Sequence, residues 1–424
     1  MIRFLIKGIL RDRNRSLMPL LTVLFSVATL VLAHAYVEGA MTEIIEINAR
    51  FESGHLKVVT DPYSRQQALR PNDLALLNVG AYENNLRVEY PDYSWTPRIK
   101  FVGLVDVGDE SGETKEQAPI IGIAVDILSQ QKMGIEQLNL RESLIKGRLP
   151  AKRGEILISD LLFESLAIDL DESLTLISTT MYGSPGVANL AVVGTVNFGV
   201  AAMDKGAVIA DIEDIRVALD MQDAASELLG MRKTGYDDID ANKIKNTFNQ
   251  GQRKDDKFFP VMLSIRDQPG FGEYIDIGRN MGGLMILIFM IIIVIALWNA
   301  GIRGGIRRYS EFGLRIAIGE SHRHVYFSQA IESLCIGIVG YVLGTLLGLL
   351  PAFYLQYVGL DMTDILDPSM SAILFQDRVR AKVTVVTLFI GIIPGIFATV
   401  AGSLMSGLGI FKRQTASLFS ELEI

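Results

Sequence analysis

The 424-residue chain is 49% hydrophobic with a mean hydropathy of +0.31, too apolar for an ordinary soluble protein. A formal net charge of −8 gives nucleic acid no reason to bind it. A single cysteine, Cys335, excludes any disulfide within the chain.

The opening MIRFLIKGILRDRNRS alternates apolar and basic residues at helical spacing. It fits a cytoplasmic amphipathic helix over 1–15 lying on the membrane surface, or a plain basic anchor. Beyond it, four stretches carry no charge: Ser16–Val37 (22 residues), Asn280–Ile302 (23), Ser333–Leu360 (28) and Val383–Phe411 (29). Crossing the hydrocarbon core takes about 20 apolar residues, and only a helix satisfies its own backbone there. The expectation is an α-helical membrane protein with transmembrane helices at 16–37, 280–302, 326–355 and 383–408. A large mixed α+β extracytoplasmic domain, 38–279, is inserted between the first two; a cytoplasmic loop (303–325), a short external loop (356–382) and a tail (409–424) complete the chain. Ala33-His34-Ala35 mimics a signal-peptidase site, but the apolar run exceeds a signal h-region, so the segment is expected to stay as an anchor. His34 is an ionisable group inside a span; interfacial packing or a place on a substrate path are its two readings.

Orientation follows from the short loops. Met1–Arg15 holds five Lys/Arg against one acid, and Arg303–Val325 five against two, which puts both termini and the 303–325 loop in the cytoplasm. Tyr36–Arg279 then lies outside, with 38 acids against 25 bases. About 240 residues without disulfides can hold their own core, and two lobes are expected.

Strand-like runs there are 55–60, 98–107, 119–125, 155–159, 173–178, 188–196, 206–210 and 259–265. Helical runs begin at Ser159, follow Asp211, and end near Phe248. GDESGETKEQ (108–117) and GMRKTGYDDIDANK (230–243) read as exposed loops. In the third span Gly337, Gly340, Gly344 and Gly348 make a flat strip for close approach of another helix, in this chain or another. Pro394, between Gly391 and Gly395, predicts a kink in the fourth.

Catalytic patterns are missing. GDESGETK only resembles a phosphate-binding loop, no H-E-x-x-H occurs, and the outer domain's one histidine, His55, is expected at the surface. No metal site and no catalytic residue is expected. No span interior carries an acid, which disfavours a proton-coupled carrier. Glu332 stands at the cytoplasmic end of a span, within reach of water.

One passage invites a mechanical reading: RRYSEFGLRIAIGESHRHV, Arg307–Val325, polar between two spans. Ser310 can cap a short helix, Phe312/Ile316 and Leu314/Ile318 stack four apart, Glu311/Arg315 pair at i,i+4, and Gly319 stops it. An apolar face tethered between spans can dock on a cytoplasmic partner; a helical positive-inside loop is the bland alternative.

Glu311–Ser321, E-F-G-L-R-I-A-I-G-E-S, resembles the first coupling helix of the FtsX-like permeases, the MacB–LolCDE type of ABC transporter. Glu311, Gly313, Ala317, Gly319 and Ser321 match that pattern, while the basic residue, Arg315, stands one place early. QAIESLCIGIVGYVLGTLLGLL (329–350) resembles the family's third span. In the outer domain, 49–60, 145–178 and 188–196 resemble its periplasmic core. The chain lacks the proline-containing ending of many members, and without a fused nucleotide-binding domain it resembles the LolC/LolE arrangement.

The resemblance implies a non-enzymatic membrane subunit of the bacterial inner membrane. Two ATPase subunits would bind ATP and Mg²⁺, none being held by this chain, and a second permease chain, identical or homologous, would complete the assembly. Ser310, Glu311, Phe312, Gly313, Leu314, Arg315, Ala317 and Gly319 would form the ATPase-coupling helix. Lipoproteins or other amphiphiles would be extracted or exported at the outer side, among membrane lipids, with a periplasmic chaperone or adaptor. Efflux of the MacB type and FtsX-like regulation of envelope hydrolases are the alternatives within the family; a stand-alone receptor is the alternative outside it.

Overall fold

The computed structural model describes residues 13–108, 113–252, 256–361 and 378–412. The amphipathic helix expected over 1–15, the external loop 356–382 and the tail 409–424 lie, apart from their edges, outside the described residues. Packing divides the chain into two units: Met1–Thr42 with Ile277–Leu360 and Val379–Ile424, and Glu43–Asp276 with Asp361–Arg378.

Among the described residues, four helices are long and apolar enough to cross a membrane. The first, Arg13–Asn48, runs on past residue 37, where its apolar stretch ends, into a π-helical turn at Ala49–Ser53. The added turns are amphipathic, burying Ile45 and Ile47, so a search for unbroken apolarity stops short of them. Gly54 ends the turn at φ 64°, its N–H donating to Ala49 O at 2.7 Å.

The second and third are Phe271–Ile306 and His322–Val358, joined by a short connecting helix, Tyr309–Ala317. The fourth, Val385–Gly407, is interrupted by π-helical Ile393–Ala398, which contains Pro394. Proline has no N–H to give the regular ladder, and a π-turn absorbs the gap.

The glycine strip of the third span faces partners within this chain. A Cβ on Gly344 would lie 2.6 Å from Leu24 O, and one on Gly348 2.6 Å from Ala28 O. Gly340 abuts Val23 and Gly337 abuts Gly395 O. Three of the four therefore seat the first span against the third and one seats the fourth. In lipid, where apolar burial drives little, such close approach is what holds helices together. The second span meets the fourth in the same way at Gly301 and Gly402.

The other unit is built on one ten-stranded sheet. Its strands, with a separate two-stranded pair included in the numbering, are β1 Leu56–Thr60, β2 Leu76–Leu77, β3 Tyr93–Gly108, β4 Thr114–Val125, β5 Leu144–Gly147, β6 Glu155–Ser159, β7 Ser173–Thr179, β8 Pro185–Val196, β9 Ala207–Asp211, β10 Ala224–Ala225, β11 Glu227–Arg232 and β12 Pro260–Ser264. The pairings β3-β4-β9-β6-β8-β7 return to β3 and close a ring; β11, β1 and β12 extend the sheet from the first half of β3.

Side chains alternate across this sheet with period two. Ile156, Ile158, Val192, Val208 and Ala210 join one core, while Leu157, Val193, Ala207 and Ile209 join a second. The expected two lobes are thus one compact unit: the apolar runs are long because their strands are covered on both faces.

The two expected loops also change. Thr114–Gln117 belongs to β4, with 109–112 outside the described residues. Within 230–243, Gly230–Arg232 closes β11 and Asp238 opens the helix Asp238–Gly251. Gly230 stands in β11 because the Trp95 ring of β3 would meet a Cβ there at 2.7 Å.

Candidate functional site

The connecting helix starts one residue before the expected cap. Arg308 occupies the N-cap position without a side-chain capping bond, and Ser310 falls inside the first turn. Its end matches the glycine signal: Gly319 N–H donates to Ile316 O (2.9 Å) and Glu320 N–H to Arg315 O (3.0 Å), with Gly319 at φ 105°. Two residues on, Ser321 Oγ accepts the N–H of His324 and opens the third span.

The expected Glu311–Arg315 pair does not form. Arg308 instead folds back over the helix, with its guanidinium 5.5 Å from the Phe312 ring centre and Nε 3.5 Å from Glu311 Oε2. Its Nη2 reaches Glu332 Oε2 on the third span at 2.6 Å. Glu332, expected in reach of water, is therefore an ion-pair partner with a side chain 14% exposed. Arg315 turns the other way and bonds Glu320 at 2.8 Å.

The apolar positions split in two. Phe312 is fully buried against Val325, Tyr309 and Ile316, and Gly313 is buried beside it. Tyr309 Oη donates to Ser406 O of the fourth span at 2.8 Å, and Gln329 Nε2 to Ser403 O at 3.0 Å. Leu314 and Ile318 stay 54% and 76% exposed, with Ala317 and Gly319 also exposed between them. The helix is fastened to two spans on one side and leaves an aliphatic stripe uncovered on the other. Sequence periodicity finds both pairs but cannot say which one turns inward.

Residues 283–415 match the FtsX-like permease C-terminal family. The match spans less than half of the chain. The matched stretch takes in most of the second span, the connecting helix, and the third and fourth spans. Among solved structures, the periplasmic region of MacB from Actinobacillus actinomycetemcomitans is similar to this chain at 12% identity and a TM-score of 0.34, covering 51% of this chain and 92% of that one. No curated protein matches the sequence.

His34, the substrate-path candidate, lies in the membrane unit, outside the matched stretch. Its Nδ1 is 3.0 Å from Thr387 Oγ1, a fully buried hydroxyl at the start of the fourth span. Thr384 caps that helix through Thr387. The geometry is a polar tie between the first and fourth spans.

Sequence reasoning missed an ionic cluster in the other unit. Arg98 and Lys100 alternate with Ile99 and Phe101 on β3, so both point to one side, where they meet the turn ending the first helix. Arg98 donates to Phe51 O (3.0 Å) and Arg50 O (2.6 Å), Lys100 to Glu52 O (2.7 Å) and Glu52 Oε2 (2.9 Å). Cations on a helix C-terminus complement its dipole and its orphan carbonyls. Glu227 of β11, 1% exposed, shares Lys57, Arg98 and Lys100 at 3.4–3.9 Å. Burial pushes the Lys57 ammonium down to about 8, with Glu227 pulling the other way. The signal available was R-I-K-F itself, two cations in step on a strand otherwise fit for a core.

His55, expected at the surface, is 1% exposed. Its Nδ1 accepts the Arg232 N–H at 2.9 Å, which assigns the proton to Nε2 and makes that nitrogen the donor to Glu46 Oε2 at 3.2 Å. It packs on Tyr236 and joins β1, β11 and the first helix. Among the described residues no group of three His, Cys, Asp or Glu is placed to hold a metal.

Proposed function

We propose that this chain is the membrane subunit of an ABC transporter, passing work from a separate ATPase to an amphiphilic cargo, a lipoprotein or similar molecule, on the outer side of the bacterial inner membrane. The observation that carries this is the two-sided connecting helix. Leu314, Ala317 and Ile318 offer an apolar stripe to a partner, while Phe312, Tyr309 and the Arg308–Glu332 pair join the same element to the third and fourth spans. A helix so fastened cannot be displaced without moving those spans, since packed cores shift as bodies. The excess of basic residues beside it supports a cytoplasmic position for this end, where ATP is. The large insertion between the first two spans supports a cargo handled on the outer side, and the lipoprotein or amphiphile class is what the resemblance to the LolC/LolE arrangement implies. Two ATPase copies and a second permease chain would complete the complex.

Purification of the full chain with its candidate ATPase is the test. Wild type is expected to bring the ATPase down, and Leu314→Asp/Ile318→Asp to lose it at unchanged membrane yield. Equal recovery with both chains would remove the connecting helix from the interface and the mechanism with it.

A further inference from the structure

A cavity of about 540 Å³ opens in the membrane unit where the first, second and third spans meet the connecting helix. Three arginines line it, Arg303, Arg307 and Arg308, against two glutamates, Glu311 and Glu332. The glutamates are both engaged by Arg308. Among the described residues Arg303 and Arg307 have no carboxylate within ion-pair distance; Arg303 Nε has only Asn299 O, at 3.4 Å. Both are exposed; Arg303 stands in the last turn of the second span and Arg307 just past its end, with the Arg307 N–H donating to Arg303 O at 3.2 Å.

Their depth is set by the sequence. Asn280–Ile302 is free of charge, so Arg303 is the first ionised group after a full crossing, at the level of the lipid headgroups. The cavity wall mixes this charge with apolar Met18, Pro19 and Ile336, the combination an amphiphile's polar–apolar boundary requires. Gln329, 4% exposed, also lines the cavity, its Nε2 donating to Ser403 O and Ser406 Oγ of the fourth span. A guanidinium's planar fork of donors suits bidentate bonding to two phosphate oxygens.

From this arrangement we infer that Arg303 and Arg307 form a binding site for a phosphate group at the cytoplasmic end of the bundle, with the phosphodiester headgroup of an anionic membrane lipid as its ligand. The site stands apart from the ATPase reading, because it requires no partner chain. It places a lipid directly beneath Ser310 and Glu311, the first turn of the connecting helix.

The full-length chain, delipidated in neutral detergent, is equilibrated with phosphatidylglycerol or phosphatidylcholine vesicles, and retained lipid is counted by native mass spectrometry. Wild type should retain phosphatidylglycerol, and Arg303→Gln/Arg307→Gln should retain about tenfold less or lower still, as loss of charge-assisted bonds implies. Both side chains are exposed, so thermal unfolding of the variant in phosphatidylcholine should match wild type. Competition by inorganic phosphate alone would assign the same site to a soluble phosphate and keep the phosphate inference while discarding the lipid. Equal retention of phosphatidylglycerol by wild type and a folded double variant overturns it.

Discussion

Arg308 Nη2 lies 2.6 Å from Glu332 Oε2, and that bond ties the residue opening the connecting helix to the third span. Both side chains are mostly buried, so the pair is shielded from the screening that makes surface ion pairs nearly worthless. Removing one partner leaves the other's charge uncompensated. Glu332→Ala is expected to insert normally, yet to lower transport per ATP hydrolysed several-fold in reconstituted vesicles. A double-mutant cycle with Arg308→Ala should give a coupling energy of about 1 kcal/mol or more. Additive single effects would show that the two side chains act separately.

The outward stripe and the inward anchor of the same helix should respond oppositely. Leu314→Asp and Ile318→Asp change exposed positions and should leave stability within about 0.5 kcal/mol of wild type while abolishing ATPase recovery. Phe312→Ala empties a fully buried site and should cost about 3 kcal/mol of local stability. Limited proteolysis of the 303–325 segment separates the two: faster cleavage is expected for Phe312→Ala alone.

Glycine positions in the spans differ sharply in tolerance. Gly344→Leu would drive a side chain into the Leu24 carbonyl and force the first and third spans apart, so membrane yield should fall severely. Gly283→Leu, with nothing within 4 Å of its Cβ position, should express like wild type. Similar yields for both would mean that glycine contacts do not hold these helices together.

Glu155 supplies an acid-sensitive element in the sheet unit. Arg148 grips both carboxylate oxygens at 2.6 and 2.7 Å, the Ala151 N–H adds 2.8 Å, and together they hold the carboxyl down to about 2. A carboxyl lowered on folding stabilises fully above its unfolded value, about 4.5, and that contribution drains away as pH falls towards 2. Wild-type Tm should therefore drop between about pH 4.5 and 2 more steeply than that of Glu155→Gln, which lacks the proton-linked term. Parallel Tm curves would assign the acid sensitivity elsewhere.

By itself the sequence determined whatever depends on one element at a time. Charge-free runs long enough for a bilayer set the four spans, and period-two apolar patterns set most of the sheet. Gly319 and Ser321 set the break between the connecting helix and the third span, because helix ends are decided by local backbone geometry. The tertiary structure alone decided which groups meet. Arg308 rather than Arg315 holds Glu311, and Leu314 rather than Phe312 turns outward; the glycine strip meets the first span and His55 sinks beneath Tyr236. Each is a choice between partners of equal local merit, and only the positions of residues distant in the chain make one of them lower in energy.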